Sequence, residues 1–291
     1  MTTNKKILFP TDFSAPSANA FRYALQLADR LIAKIELVHV VFPDYENVGY
    51  PTYSGAVTTT TAIDQVKERM KRFVEQSMTQ VLGQLQYAPV VTSEVLFGTE
   101  ADTIIRDAER KEVDFILMAT RGIQKSMFEK LMGSVAEGVV ENAKCPVLVI
   151  PPQVIFREID TIAYATNLLD ADPFEIWKTT ELLPALSNTL HLIHLRDVDA
   201  TTAEVATKTK KLESMREFLA ARYSEITIVP HLIPGKSLVK EMEQFLTQHQ
   251  PALLVMYQTT HGFLEQLFFK SNTVQMTQQI ALPLFILKQR Q

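Results

Sequence analysis

Four short stretches carry residue types that can hold a ligand. Pro10-Thr11-Asp12 directly follows the apolar run Ile7-Leu8-Phe9. Its carboxylate can accept hydrogen bonds from sugar hydroxyls, or it can cap the helix that follows. Val40 closes the run Leu37-Val38-His39-Val40, and Ala119-Thr120-Arg121-Gly122 closes the run Phe115-Ile116-Leu117-Met118. Gly133-Ser134 opens the helical segment Val135 to Asn142, where unpaired N–H groups and the helix dipole favour an anion such as phosphate. Glycine lets the backbone approach a phosphate closely, while the Ser134 hydroxyl can cap the helix or bond an oxygen. Gly-Ser before a helix is also a common plain cap.

No stretch reads Gly-x4-Gly-Lys-Ser/Thr or Gly-x-Gly-x2-Gly, so the pyrophosphate loops of common nucleotide enzymes are missing. No general base beside a second carboxylate and no metal cluster is evident, so no catalytic residue, no metal and no turnover are expected. His39 and His194 sit at matching strand ends and read as structural. Cys145, before Pro146 at the entrance to an apolar strand, is expected to be buried. The methionines read as core filler and Trp177 as partly buried in a helix.

These candidates depend on a scaffold that puts strand ends together. Four segments recur along the chain. Ile7-Leu8-Phe9-Pro10-Thr11-Asp12 matches Ile162-Ala163-Tyr164-Ala165-Thr166-Asn167, and Leu37-Val38-His39-Val40 matches Leu192-Ile193-His194-Leu195, both at an interval of 155. Asp114-Phe115-Ile116-Leu117-Met118 meets Ala252-Leu253-Leu254-Val255-Met256 at 138, and Cys145-Pro146-Val147-Leu148-Val149-Ile150 meets Leu282-Pro283-Leu284-Phe285-Ile286-Leu287 at 137. The chain is therefore a duplication, with about 17 extra residues in the first copy, assigned to a loop over Tyr45 to Thr61. Domain 1 is placed at 1–152 and domain 2 at 153–291, with Pro151-Pro152 as a stiff stop between them.

The short apolar runs lack strict alternation, as strands covered on both faces do. Amphipathic segments lie between them. Ser14 can cap a helix striped by Phe21, Ala24, Leu25, Ala28 and Leu31, and a second helix carries Val66, Met70, Phe73, Val74, Val81 and Leu85. Strand and helix in alternation predict an α/β fold of two tandem open parallel five-stranded sheets with helices on both faces, Rossmann-like. Ligands of such sheets bind beyond the carboxyl ends of the strands, where the candidate residues lie.

Composition narrows the classes. With 46% apolar and 21% charged residues the chain is ordinary for a globular protein. No apolar run is long enough to cross a bilayer, and the start, Met1-Thr-Thr-Asn-Lys-Lys, does not read as a secretion signal. A cytoplasmic location without membrane contact is expected. The single cysteine allows no internal disulfide, and a net charge of -4 gives no reason to expect nucleic acid. Lys208-Thr209-Lys210-Lys211 reads as a solvated helix face.

The sequence resembles the universal stress proteins. The resemblance rests on Leu8-Phe9-Pro10-Thr11-Asp12-Phe13-Ser14, Leu37-Val38-His39-Val40, Gly122, Gly133-Ser134-Val135-Ala136-Glu137 and Cys145-Pro146-Val147-Leu148-Val149-Ile150. It covers essentially the whole chain, more strongly in the first copy. It implies an adenine nucleotide alpha hydrolase-like fold and a non-catalytic stress-response role. It also implies an adenine nucleotide site, ATP or ADP with Mg, in domain 1 at Pro10, Thr11, Asp12, Val40, Gly122, Gly133, Ser134 and Val135. Pairing of the two copies as an intramolecular pseudo-dimer, and further homodimerisation, follow from the same resemblance.

Two departures stand against the family pattern. Ala119 replaces the first loop glycine, and ten residues instead of nine separate Gly122 from Gly133. In the second copy Asn167 replaces the aspartate, Gly262 is the only loop glycine, and Ser271-Asn272-Thr273 stands for Gly133-Ser134-Val135, so no cofactor is expected in domain 2. Phe263, Leu264, Leu267, Phe268 and Phe269 form an apolar cluster there that suggests packing against a domain or subunit. The alternative function is a nucleotide-free interaction scaffold with both sites degenerate.

Overall fold

A computed structural model describes residues 5–42, 53–120, 134–168, 188–223, 225–236, 238–258 and 282–288. The chain divides into two compact units, the first closing at Phe156 and the second opening at Arg157. Each unit is an all-parallel five-stranded sheet.

In the first unit the strands are β1 (Lys6–Pro10), β2 (Lys34–Val41), β3 (Val91–Phe97), β4 (Phe115–Ala119) and β5 (Val147–Ile150), in the spatial order β3-β2-β1-β4-β5. Their registers are fixed by pairs such as Pro10↔Val38, Val40↔Leu96, Leu8↔Ile116 and Leu117↔Leu148. The second unit repeats the order with β6 (Thr161–Ala165), β7 (Thr189–Arg196), β8 (Thr227–Pro234), β9 (Leu253–Gln258) and β10 (Leu284–Lys288), arranged β10-β9-β6-β7-β8. Central strands are buried on both faces, as Ile7, Leu8, Phe9 and Phe115 to Leu117 show in one unit and Ala163, Leu253 and Val255 in the other. Pro230 and Pro234 fall on β8, an edge of its sheet, where a missing N–H breaks no ladder.

The helices between strands are α1 (Ala15–Leu31), α2 (Tyr53–Val81), α3 (Glu100–Arg110) and α4 (Ser134–Asn142), then α5 (Thr202–Ala220) and α6 (Leu238–His249). Ser14 caps α1 as predicted, accepting from the Ser17 N–H at 3.2 Å, with Pro16 in the first turn. The predicted α1 stripe is buried in full. In α2, Met70, Phe73, Ser77 and Val81 are buried at helical spacing, while Val66 and Val74 are half-buried and Leu85 lies past the helix. Thr201 and Glu204 form a reciprocal capping box that starts α5. The Lys208 to Lys211 run lies on this helix, and Lys210 and Lys211 are exposed.

One expectation is corrected. Residues 53–61, read as part of a loop, belong to α2, so half of the extra length of the first copy extends a helix. Residues 45–52 of that loop lie outside the described residues, and the threonines at 58–61 lower helix propensity by only a few tenths of a kcal/mol each. At the other end of α2 the buried Asp29 carboxylate accepts the N–H groups of Gln86 and Tyr87, pinning the turn into β3 to α1. After β5 the chain stays with the first unit: Asn19 donates to the Val154 carbonyl at 2.7 Å, and Phe156 meets Tyr23 edge-on.

Candidate functional site

The order of strands reverses between β1 and β4, and the ends of these two strands form the switch point at which open α/β sheets bind ligands. Pro10 ends β1. Buried Thr11 ties the turn together: its N–H donates to the Val38 carbonyl at 2.9 Å, its hydroxyl pairs with Ser17 Oγ at 2.8 Å and accepts the Phe13 N–H at 3.0 Å. Its carbonyl is held by His39 Nδ1 at 2.7 Å. Phe13 takes a left-handed conformation, φ 60°, an unusual state for a bulky residue. Its ring stands 4.5 Å from His39 and 5.7 Å from Phe73, with the Arg69 guanidinium 4.4 Å above it.

Asp12 emerges from this turn exposed to solvent. Its Oδ1 accepts the Ser14 N–H at 2.9 Å, so the carboxylate braces the helix entry while Oδ2 has no partner among the described residues. Both roles open to it in the sequence are therefore compatible.

Val40 lies two residues beyond the last β1–β2 pair, Pro10↔Val38. Backbone groups alternate sides along a strand. Val38 presents its carbonyl to β1, through Thr11, and the Val41 carbonyl takes the Gly98 N–H on the β3 side. Val40 therefore turns its N–H and C=O to the side where β1 has ended, leaving an adjacent donor and acceptor at the mouth of the switch point. Thr120, past the end of β4, is 1% exposed, and its hydroxyl has no partner among the described residues. Buried polar atoms are as a rule hydrogen-bonded, so this hydroxyl calls for a partner.

Ser134 begins α4, and Val135 is half-buried in the first turn. Gly138 lets α4 approach α3, since a Cβ there would stand 3.1 Å from that of Ala101. Gly122 and Gly133 lie outside the described residues, as do Trp177, Gly262, Ser271 and the Phe263 to Phe269 cluster. Cys145 is half-buried and not fully buried as expected, because it lies at the mouth of β5 ahead of its first buried residue, Val147.

The second unit repeats the turn. His194 Nδ1 holds the Thr166 carbonyl at 2.8 Å, the Thr166 N–H donates to Ile193, the Thr166 hydroxyl accepts the Leu168 N–H, and Leu168 has φ 59°. The equivalent roles of His39 and His194 are structural, as read. Burial pushes His194 below the ordinary histidine range, although the Thr166 carbonyl opposes the shift. At the position of Asp12 stands exposed Asn167, which carries no charge.

Residues 3–151 match the profile of the Universal stress protein family, slightly more than half of the chain. The chain belongs to the universal stress protein family. A universal stress protein of Methanocaldococcus jannaschii is 33% identical over 148 residues, spanning 50% of this chain and 81% of that protein. One of Thermus aquaticus is 30% identical over 146 residues, spanning 98% of its length. The crystal structure of a universal stress protein from Archaeoglobus fulgidus superposes with a TM-score of 0.71 at 18% identity, covering 99% of this chain and 100% of that one, a likeness of fold.

Sequence reasoning placed Thr120 in a candidate stretch but gave no role to Phe13, Arg69 or Gly98. Gly98 has φ 142°, and a Cβ there would lie 2.5 Å from Thr103 Oγ1, so only glycine makes the turn from β3 into α3. Gly235 holds the same place in the second unit, donating to Arg196 as Gly98 does to Val41. That glycine pair was the available signal. No helix among the described residues is long and apolar enough to cross a membrane.

Proposed function

We propose that this universal stress protein is a non-catalytic stress-response protein whose first domain, 1–152, binds an adenine nucleotide. Domain 2, 153–291, serves as a partner domain of the same fold without that ligand. The observation that carries the reading is the pairing of Val40 with Asp12 at the switch point. The free N–H and C=O of Val40 match the acceptor and donor edge of adenine, and the outward oxygen of Asp12 matches ribose hydroxyls. The unpaired Thr120 hydroxyl supplies a further bond on the β4 side. Ser134, Val135, Gly122 and Gly133 would carry the phosphates and their Mg ion at the α4 amino end. Asn167 retains the turn but lacks the charge, which supports restricting the site to the first domain.

Thermal unfolding with and without Mg-ATP tests this. A ligand that binds only the folded state at 100 times its Kd adds about 2.7 kcal/mol, so the first transition should rise by several degrees. Asp12→Ala should remove the rise, and Asn167→Ala should leave it. Ala119 places a methyl where the family carries glycine, and absence of any shift at millimolar nucleotide would establish the scaffold reading instead.

A further inference from the structure

The last turn of α6 closes a histidine cluster that the first unit lacks. His191 of β7 and His231 of β8 project from the same sheet face, with His191 Nδ1 2.8 Å from His231 Nε2. His249 closes the triangle from α6, with ring centroids 4.7 Å from His191 and 5.3 Å from His231, and it stacks on Phe245 at 4.2 Å. Phe245 meets both other imidazoles edge-on. A hollow of about 510 Å³ opens beside them, lined by His231, Pro234, Glu241, Gln244, Gln248 and His249 among others. Among the described residues no three side chains are placed to ligate a metal together.

We propose that His191, His231 and His249 form an acid-responsive latch, closing α6 on β7 and β8 when neutral and releasing it when protonated. A neutral imidazole pair makes a good bond, since one ring donates and the other accepts. One proton can be shared across it. A second leaves two N–H groups and two charges opposed. Burial is the larger effect on the two strand rings and the neighbouring imidazoles add to it, His249 for His191 and both His191 and His249 for His231: His191 is lowered and His231 is pushed down to about 4.

The surrounding charges give no relief. Glu241, the acid that lines the hollow, lies two turns before His249, roughly 12 Å along the helix, with its side chain against Gly235. Glu243, on the same helix, is half-buried with Oε1 unpaired among the described residues, and burial raises its carboxyl. Arg157 donates to the carbonyls of Gln250 and Pro251, so the group just past the helix is another cation. Among the described residues only the other imidazoles bear on His231 electrostatically.

The test is amide exchange of the full chain by mass spectrometry at pH 7.5 and 5.0, corrected for the intrinsic rate. Peptides of α6 should lose protection about tenfold at pH 5.0 while α3 keeps its own. The double variant His191→Gln/His231→Gln should abolish the pH response. Equal behaviour of α6 and α3 in the wild-type chain overturns the proposal, as does a double variant that responds like wild type. If that variant does not fold, imidazole NMR of the wild-type chain decides: a His231 that titrates at its ordinary value overturns the latch, and a depressed value that moves with α6 exchange supports it.

Discussion

Glu36, Glu94, Asp107 and Lys111 in the first unit stand where His191, His231, Phe245 and His249 stand in the second. The correspondence is fixed by geometry. Val38↔Glu94 and Ile193↔His231 are matching register pairs, Gly98 and Gly235 make the same turn, and Glu112 and Gln250 share a left-handed conformation, φ 51° and 45°. In the first unit Lys111 Nζ lies 2.9 Å from both Glu94 and Asp107 and 3.6 Å from Glu36, and Arg110 bonds Glu94 and Asp107. One seam between a helix and two strands is thus closed by permanent charges in one copy and by titrating rings in the other. Duplication kept the backbone and freed the seam to change its chemistry.

The difference is sharpest in pH. Hydrogen bonding to Lys111 lowers Glu94, so its contribution is present above the unfolded carboxylate value and is lost only as pH falls below about 4.5. The imidazoles are lowered too, but from about 6.5, so their contribution is lost as pH falls from about 6.5 toward 4. Between these limits only the second unit should weaken.

Breaking the ionic seam should have the largest effect. Arg110→Met together with Lys111→Met strips both cations from Asp107, whose side chain is 3% exposed. Stranding a buried charge costs about 3 kcal/mol or more, read as a lower urea midpoint for the first unit with little change in the second. Gly98→Ala should cost about 1–3 kcal/mol, since it forces a positive φ on a side chain that also meets Thr103. Gly235→Ala should cost less, because the atoms in its way belong to the flexible Glu241 side chain.

Acidification from pH 7 to 5 should take about 1–2 kcal/mol from the second unit, after allowing for partial exposure of His231. Urea titrations at the two pH values measure it. His231→Gln should remove most of that difference, and a first unit that weakens equally would erase the contrast between the seams.

Much of this was legible in the sequence, for a local reason. The duplication, the Ser14 cap and the Thr11-Asp12 turn are written in contiguous residues whose preferences agree with the fold. The seam was not. Glu36, Glu94 and Lys111 come from three elements, and β3 and β8 are edge strands with no fully buried residue, so their match was invisible until the Gly98 and Gly235 turns aligned them. The same holds for Arg69, which reaches Phe13 only because α2 crosses the β1 turn. The extension of α2 over 53–61 was missed because its Gly and Thr content imitates a loop.

The smallest prediction probes whether the two copies still share local rules where their chemistry does not differ. Ser14 and Thr201 each cap a helix through a side-chain oxygen, at 3.2 and 3.3 Å from the third residue of the helix. Replacement of either by alanine should cost about 1 kcal/mol. Thr201 also belongs to a capping box, because the Glu204 carboxylate accepts from the Thr201 N–H at 2.7 Å and from its hydroxyl at 2.8 Å. Those bonds hold the Glu204 carboxyl below its usual range. Thr201→Ala should therefore lose part of its penalty as pH falls through the lowered Glu204 value, below the usual carboxylate range of about 4.3. The Ser14 hydroxyl has no carboxylate partner, and Asp12 bonds the Ser14 N–H that alanine keeps, so the penalty of Ser14→Ala should be flat across the same range. Equal pH profiles for the two variants would mean that the box contributes nothing beyond the single cap.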